Sequence, residues 1–416
     1  MAIILAAIPL FFLLIAIEIY VDRKRGTGYY QFNDAINSLQ VGTLSRLVGL
    51  LKALVPFTLY VYVYENWRLL TVSDVSMLSW IFAFVIYDLG YYWVHRLSHR
   101  INIMWGSHVV HHSSEEYNLT TALRQTSTPA LFGALVFIPL ALIGISPMML
   151  VACGSLNLVY QFWVHTRHVD KMPNWYEAIF VTPSHHRVHH ALNRDYIDKN
   201  FAGVFILWDK WFGSFQAEKQ EVNIVYGVSH QLKSWNPLWA NCQVYLNLWR
   251  DSIATKNWLD KVLVWLKPPG WRPEDVQTSH PRGYVTTKTM KKFDVSLSLA
   301  EKRYVLFQHA SCVLMAFSFL LALAQFTTMT MVLVSLFAIF SLYVISCLQE
   351  RRSFARLLEA ARLLATGVVV MWILPQTLQL TGLIGTSIYL LVSLFSLYLI
   401  HKNYDENEQV SLAEEA

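Results

Sequence analysis

Charge is what this sequence is short of. Only 15% of its 416 residues are Asp, Glu, Lys or Arg, where soluble domains usually carry about a quarter. With 55% hydrophobic and 14% aromatic residues and a positive mean hydropathy, that deficit favours a membrane protein over two or three soluble domains. Cysteine is scarce as well. Cys153, Cys242, Cys312 and Cys347 are far apart and form no CxxC pair, so no zinc knuckle, iron–sulfur site or disulfide framework is expected. The net charge of +5 is not gathered into a basic arm interleaved with aromatics, and nucleic-acid binding finds no support. No internal repeat or low-complexity tract stands out.

Long apolar runs are what the chain has instead. A helix needs about 20 apolar residues to cross a bilayer. On that measure membrane segments fall at roughly 3–20, 47–65, 78–94, 130–146, 148–164, 304–325, 327–348, 363–380 and 383–400. The expected fold is an all-α integral membrane protein of about nine transmembrane helices. The pair around 130–164 reads as a hairpin turning at Ile145-Ser146-Pro147. The apolar start, Ala2 to Tyr20, has no basic n-region or cleavage signal and reads as a retained helix. Residues 165–303 hold no span; they are polar, rich in tryptophan and punctuated as in Lys267-Pro268-Pro269-Gly270. The tail from His401 to Ala416 is polar and acidic at its end.

Orientation follows from where Lys and Arg lie. The 21–46 loop carries Arg23, Lys24, Arg25 and Arg46, and the 349–362 loop carries Arg351, Arg352, Arg356 and Arg362; the 66–77 loop has only Arg68. With nine spans both basic loops fall on one side, together with 95–129 and 165–303. That side is expected to be the cytoplasm, with the N-terminus outside.

The 15 histidines are clustered. His95 and His99 form an HxxxH; His108, His111 and His112 form an HxxHH; His186, His189 and His190 form another, directly preceded by His185. Residues three and four apart share one helix face, so each motif aims two or three imidazoles in one direction. All three lie on the expected cytoplasmic side and can converge at the membrane surface. Neutral imidazole binds iron, zinc, copper and nickel without help from cysteine. Eight such ligands exceed what one tetrahedral zinc uses, so a histidine-rich di-metal site is expected. His165, at the end of the fifth span, is a further candidate ligand. Asp88 lies seven residues before His95 on the same face. An acid there is costly unless partnered, and a hydrogen bond to a ligand histidine would orient the ring. His168 and His185 read equally as supporting or surface residues; His230, His280, His309 and His401 are isolated and read as structural.

HxxxH, HxxHH and HxxHH in this order resemble the fatty acid hydroxylase/sterol desaturase superfamily. Finer runs resemble its alkylglycerol monooxygenase branch: Asn102-Ile103-Met104-Trp105, His111 through Gln125, Thr182 through His190, Asp198 through Val204 and Trp208 through Gly213. The resemblance covers about residues 85–215, and four further C-terminal spans extend it. It implies a hydroxylase-like membrane domain over 1–303, with a C-terminal four-helix bundle and tail over 304–416. It implies a di-iron centre on His95, His99, His108, His111, His112, His186, His189 and His190. Asp88, His185, Asn118 and Arg124 are candidates to orient the ligand rings, and no catalytic residue apart from the ligands is singled out. O2 is the implied oxidant and a bilayer lipid the substrate, here the ether carbon of an alkylglycerol, with tetrahydrobiopterin as reductant. Arg100 stands where pterin-using relatives carry Glu, so a pterin and a small redox protein both remain open as electron donor. A multi-pass location follows, in the inner membrane of a bacterium or the endoplasmic reticulum of a eukaryote. Rival readings are a sterol or fatty acyl hydroxylase or desaturase, and a metal transporter. A transporter would hold its ligands at mid-membrane on broken helices, not at span ends.

Overall fold

The computed structural model describes residues 2–52, 55–128, 131–374 and 378–414, and every regular element among them is a helix. Extended pairing among them is limited to two isolated bridges, Phe180 with Phe205 and Ala191 with Tyr226. Five helices are long and apolar enough to cross a membrane: Ile3–Arg25, Met77–Ser98, Leu299–Leu321, Thr328–Gln349 and Gln379–Ile400. This is an integral membrane protein, and five of the nine expected spans are recognised among the described residues.

The other four expected runs fold as follows among the described residues. The runs at 47–65, 130–146 and 148–164 fold as Phe32–Lys52 and Val55–Trp67, Leu131–Ile143, and Pro147–Trp163. The run at 363–380 falls on Ala355–Ile373, whose first half carries Arg356, Glu359 and Arg362. Residues 53, 54, 130 and 375–377 of these runs lie outside the described residues, as does the side chain of His401.

The turn expected at 145–147 is present, and it begins one residue earlier. Gly144 has φ +95°, and a Cβ there would lie 2.1 Å from the Leu70 carbonyl oxygen. Only glycine fits such a position. Ser146 then caps Pro147–Trp163, accepting the Met149 N–H at 3.2 Å. The helices on either side of the turn both pack against Met77–Ser98 and Val55–Trp67.

The chain divides into two compact units. One is Met1–Lys233 with Leu238–Phe293; the other is Ser234–Pro237 with Asp294–Ala416. In the second unit Leu299–Leu321, Thr328–Gln349, Ala355–Ile373 and Gln379–Glu414 pack in sequence, and the last returns to the first. In the first unit Met77–Ser98 leads directly into Asn102–His112, and these two helices pack on each other.

Candidate metal centre

The three motifs fold as their spacing requires. His95 lies in the last turn of Met77–Ser98, and His99 is that helix's C-terminal cap. His108, His111 and His112 sit on one face at the end of Asn102–His112. In the third motif His186 and His189 lie in a short helix, Pro183–His189, opened by Thr182 and by Pro183 in its first turn, and His190 is its C-terminal cap. Proline is pre-set for that position because the N–H it lacks has no helical partner there. Arg124, His165 and the backbone of 198–201 close the site.

Two nitrogen groups result. His95, His99, His108, His112 and His189 form one; His111, His165, His186 and His190 form the other; within each, the ligand atoms lie within 4.8 Å of one another. His112 and His190 stack at 4.3 Å between ring centroids, so the groups adjoin. All eight motif histidines are therefore brought together, and His165 joins the second group. Except for half-buried His108, all nine are buried. Burial disfavours the charged imidazolium; it holds His111 down to about 4 and His189 to about 3. The rings stay neutral at physiological pH, as metal ligation requires.

Backbone carbonyls fix the tautomers. Nδ1 of His95 donates to Phe201 O at 2.6 Å, that of His111 to Arg124 O at 3.0 Å, that of His165 to Gln161 O at 2.8 Å and that of His189 to Lys199 O at 2.9 Å. Each bond assigns the proton to Nδ1 and leaves a lone pair on Nε2. Nε2 of His111 and Nε2 of His165 nevertheless face each other at 3.2 Å. Two lone pairs cannot hydrogen-bond, whereas a cation between them satisfies both. His99 Nε2 is also buried without a partner among the described residues. The donor set thus fits two imidazole-bound metal ions.

One short loop serves the first group. Lys199 and Phe201 offer carbonyls to His189 and His95, while Asp198 Oδ1 stands 3.7 Å from His99 Nδ1 and Oδ2 pairs with Arg100 at 3.2 Å. Asp198 and Asn200 have φ of 60° and 55°, a left-handed conformation that short polar side chains tolerate best. Asp209 accepts the N–H groups of Phe201 and Ala202, each at 2.8 Å. Asn200 donates to the His185 and Gln216 carbonyls at 3.0 and 2.7 Å. Lys199, Asn200 and Asp209 were not singled out from sequence, although they lie in the runs that carried the resemblance.

The residues expected to orient rings divide. Arg124 does so with its carbonyl, while its guanidinium is held by Val110 O, Asn37 Oδ1 and Ser113 Oγ at 2.7, 2.6 and 2.9 Å. Asp88 bonds no histidine. It accepts from Asn157 at 2.6 Å, from the Val204 and Phe205 N–H groups at 3.0 Å each and from Trp208 at 2.9 Å. Its face looks onto the 203–208 backbone, so it acts on the loop rather than on a ring. Asn118 caps Leu119–Ala122 through Thr120 and donates to Tyr29 O at 2.9 Å, away from the rings. His185 contributes its carbonyl, and its own ring packs against Phe215. A cavity of about 300 Å³ opens onto His99, His112, His189 and His190, so it touches both groups. His230, expected to be structural, lines the same cavity with Tyr284.

Residues 80–214 match the family model described as fatty acid hydroxylase. With the paired histidine groups, this makes the protein a membrane oxidoreductase of the monooxygenase class. Alkylglycerol monooxygenase of Homo sapiens is 38% identical over 361 residues, 86% of this chain and 80% of its own. The Danio rerio enzyme of that name is 36% identical over 358 residues, 86% of this chain and 79% of its own. Ornithine lipid hydroxylase OlsE of Rhizobium tropici is 29% identical over 136 residues, 32% of this chain and 41% of its own. The chain belongs to the alkylglycerol monooxygenase family. No solved structure matches it.

Proposed function

We propose that this chain is an O2-dependent di-iron lipid monooxygenase that cleaves the ether bond of alkylglycerols. Hydroxylation of the carbon next to the ether oxygen gives a hemiacetal, which breaks into a fatty aldehyde and a glycerol. The supporting observation is the extent of similarity. A match over 86% of the chain must run past residue 303 into the C-terminal unit. The match to the sterol 5(6)-desaturase of Gibberella zeae covers 36%.

Two irons held by the five and four histidines would supply the O2 activation that side-chain acids and bases cannot. The chain's own part is to hold, orient and exclude water. The ether carbon is the first of the alkyl tail, so the glycerol must lie beside the reacting atoms. The cavity against His99 and His189 suits that end, because Asp198, Ser229, His230 and Tyr284 line it with polar groups and Trp105 adds an aromatic wall. A mid-chain or sterol oxidation would call for an apolar surround at the same place.

The reductant is a tetrahydrobiopterin or a small redox protein. Arg100 takes the place of the glutamate of pterin-using relatives, but its guanidinium is paired with Asp198, and this acid lines the cavity. A carboxylate is therefore offered at that wall despite the arginine. We place the centre on the cytoplasmic face, in a nine-span chain whose catalytic region is 1–303 and whose bundle is 304–416. Lipid analysis of cells with and without the protein tests the substrate: ether lipids should accumulate on its loss. A change confined to sterols or hydroxy acids would replace this reading with a sterol or acyl hydroxylase or desaturase.

A further inference from the structure

Trp258–Leu266 is a short helix turned inside out. Its exposed residues are Trp258, Leu259, Val262 and Leu266, at 81%, 64%, 57% and 52%, and every one is apolar. Successive residues turn by about 100°, so these four fall within a sector of about 100°. Val264, on the opposite side, is fully buried. The two charged residues lie off the apolar face. Lys261 donates back to the Ser252, Ile253 and Thr255 carbonyls at 3.1, 3.2 and 2.7 Å, and Asp260 is half-buried. A helix facing water carries the reverse pattern, with polar residues outward. In the preceding helix, Pro237–Ala254, Leu246, Trp249 and Ile253 are exposed at spacings that share a face, with Arg250 beside them.

The span Met77–Ser98 fixes where this helix lies. Asn102 opens the helix that follows the span. It donates its N–H to the Lys267 carbonyl at 3.0 Å and its side-chain amide to the Val264 carbonyl at 2.9 Å. The end of the short helix is therefore tied to the point where a membrane helix ends. Trp93, exposed near the end of that span, stands where aromatic side chains gather at a membrane surface. Nine residues are too few to cross a bilayer, which takes about 20. A short helix with one apolar face is suited instead to the plane of the interface.

We propose that Trp258–Leu266 docks on the bilayer itself, lying along the interface with Trp258, Leu259, Val262 and Leu266 sunk among the acyl chains just below the headgroups. The adjoining span already brings lipid to this level, whereas a second copy of the chain would have to present a matching apolar face at the same depth. Pro268, Pro269 and Gly270 follow this helix after Lys267 and wall the cavity beside His99 and His189, so the docked helix holds that cavity's rim against the membrane. The docking does not depend on the reaction assigned to the metal centre.

The test is electron paramagnetic resonance on the full chain in phosphatidylcholine nanodiscs, with Cys242→Ser removing the exposed native thiol. Nitroxides are placed one at a time at Leu259→Cys, Val262→Cys and Leu266→Cys, and at Leu13→Cys on the span Ile3–Arg25 as the lipid reference. All three labels should collide more with O2 than with an aqueous nickel complex, as the reference does. A preference for the nickel complex would overturn the proposal. Shielding from both would overturn it too, and would give the face to a second copy or another protein. Where a label disturbs the helix, the unlabelled chain is photolysed with a phosphatidylcholine bearing a diazirine near the glycerol end of its acyl chain. Adducts should map to the peptide holding Trp258–Leu266 as well as to Ile3–Arg25, and adducts on the span alone would overturn the proposal.

Discussion

Asp209 accepts the backbone N–H of Phe201 at 2.8 Å, and the carbonyl of that residue takes the Nδ1 proton of His95 at 2.6 Å. An acid eight residues along the chain thus sets the tautomer of a ring on another helix. Asp209→Ala would leave two buried N–H groups unpaired, and each unsatisfied group costs about 1–3 kcal/mol. The variant should melt at lower temperature and hold less metal, with Asp209→Asn intermediate. Unchanged melting and metal content in Asp209→Ala would remove Asp209 from this role.

His165 is the only non-motif member of either nitrogen group among the described residues. If it is a ligand, His165→Ala should lower the metal content of anaerobically purified protein from about two ions towards one. His168→Ala, whose ring packs on Tyr29 and belongs to neither group, should leave two. Equal stoichiometry in both variants would return His165 to a packing role.

Gly203 carries the Asp88 network past the loop. A Cβ there would lie 2.9 Å from Asn157 Oδ1, from Asp88 Oδ1 and from the Tyr91 ring. Gly203→Ala should force these groups apart and lower thermal stability by more than Gly270→Ala, where the added carbon meets nothing within 4 Å. Gly270 has φ +87°, so its substitution carries its own backbone strain. A smaller loss at Gly203 would show that the network can yield.

Acid should loosen the metal-free protein. Burial depresses His111 to about 4 and His189 to about 3, against an ordinary value near 6.5 in the unfolded chain. A depressed histidine binds its proton more weakly when folded, so its stabilisation is complete above about 6.5 and is lost as pH falls towards 4 and then 3. Melting temperature measured from pH 7 to pH 5 in chelator should fall. A flat profile would mean that water or counter-ions already accommodate the charged rings.

Much of the site could be read directly because helical spacing is local. Spacings of three and four residues bring rings to one side of a helix whatever the tertiary fold, and the pairs His95/His99, His108/His112 and His186/His190 each share a group, while His111 and His189 join the group opposite their i, i+3 partners. The carbonyls of Lys199 and Phe201 were invisible for the opposite reason. Every residue has a carbonyl, and only the left-handed turns at Asp198 and Asn200 decide which ones face the rings. Asp88 shows the limit of a face argument: the rule gave its side of the helix, but the partner there was the 204–205 backbone. Five of the nine expected spans stand out among the described residues; hydropathy sees apolar runs and not where helices stop. Gly144 ends one helix at 143, and Ser146 starts the next at 147.

The reaction is tested most directly with membranes bearing the protein and an alkylglycerol labelled at the first carbon of its alkyl chain. O2 is supplied in every arm, with tetrahydrobiopterin in one and a reductase system in another. Labelled fatty aldehyde should appear in an O2-dependent manner in at least one arm, naming the donor, and should vanish in His111→Ala. No aldehyde in either arm, with oxidation of a sterol or an acyl chain by the same membranes, would contradict ether cleavage.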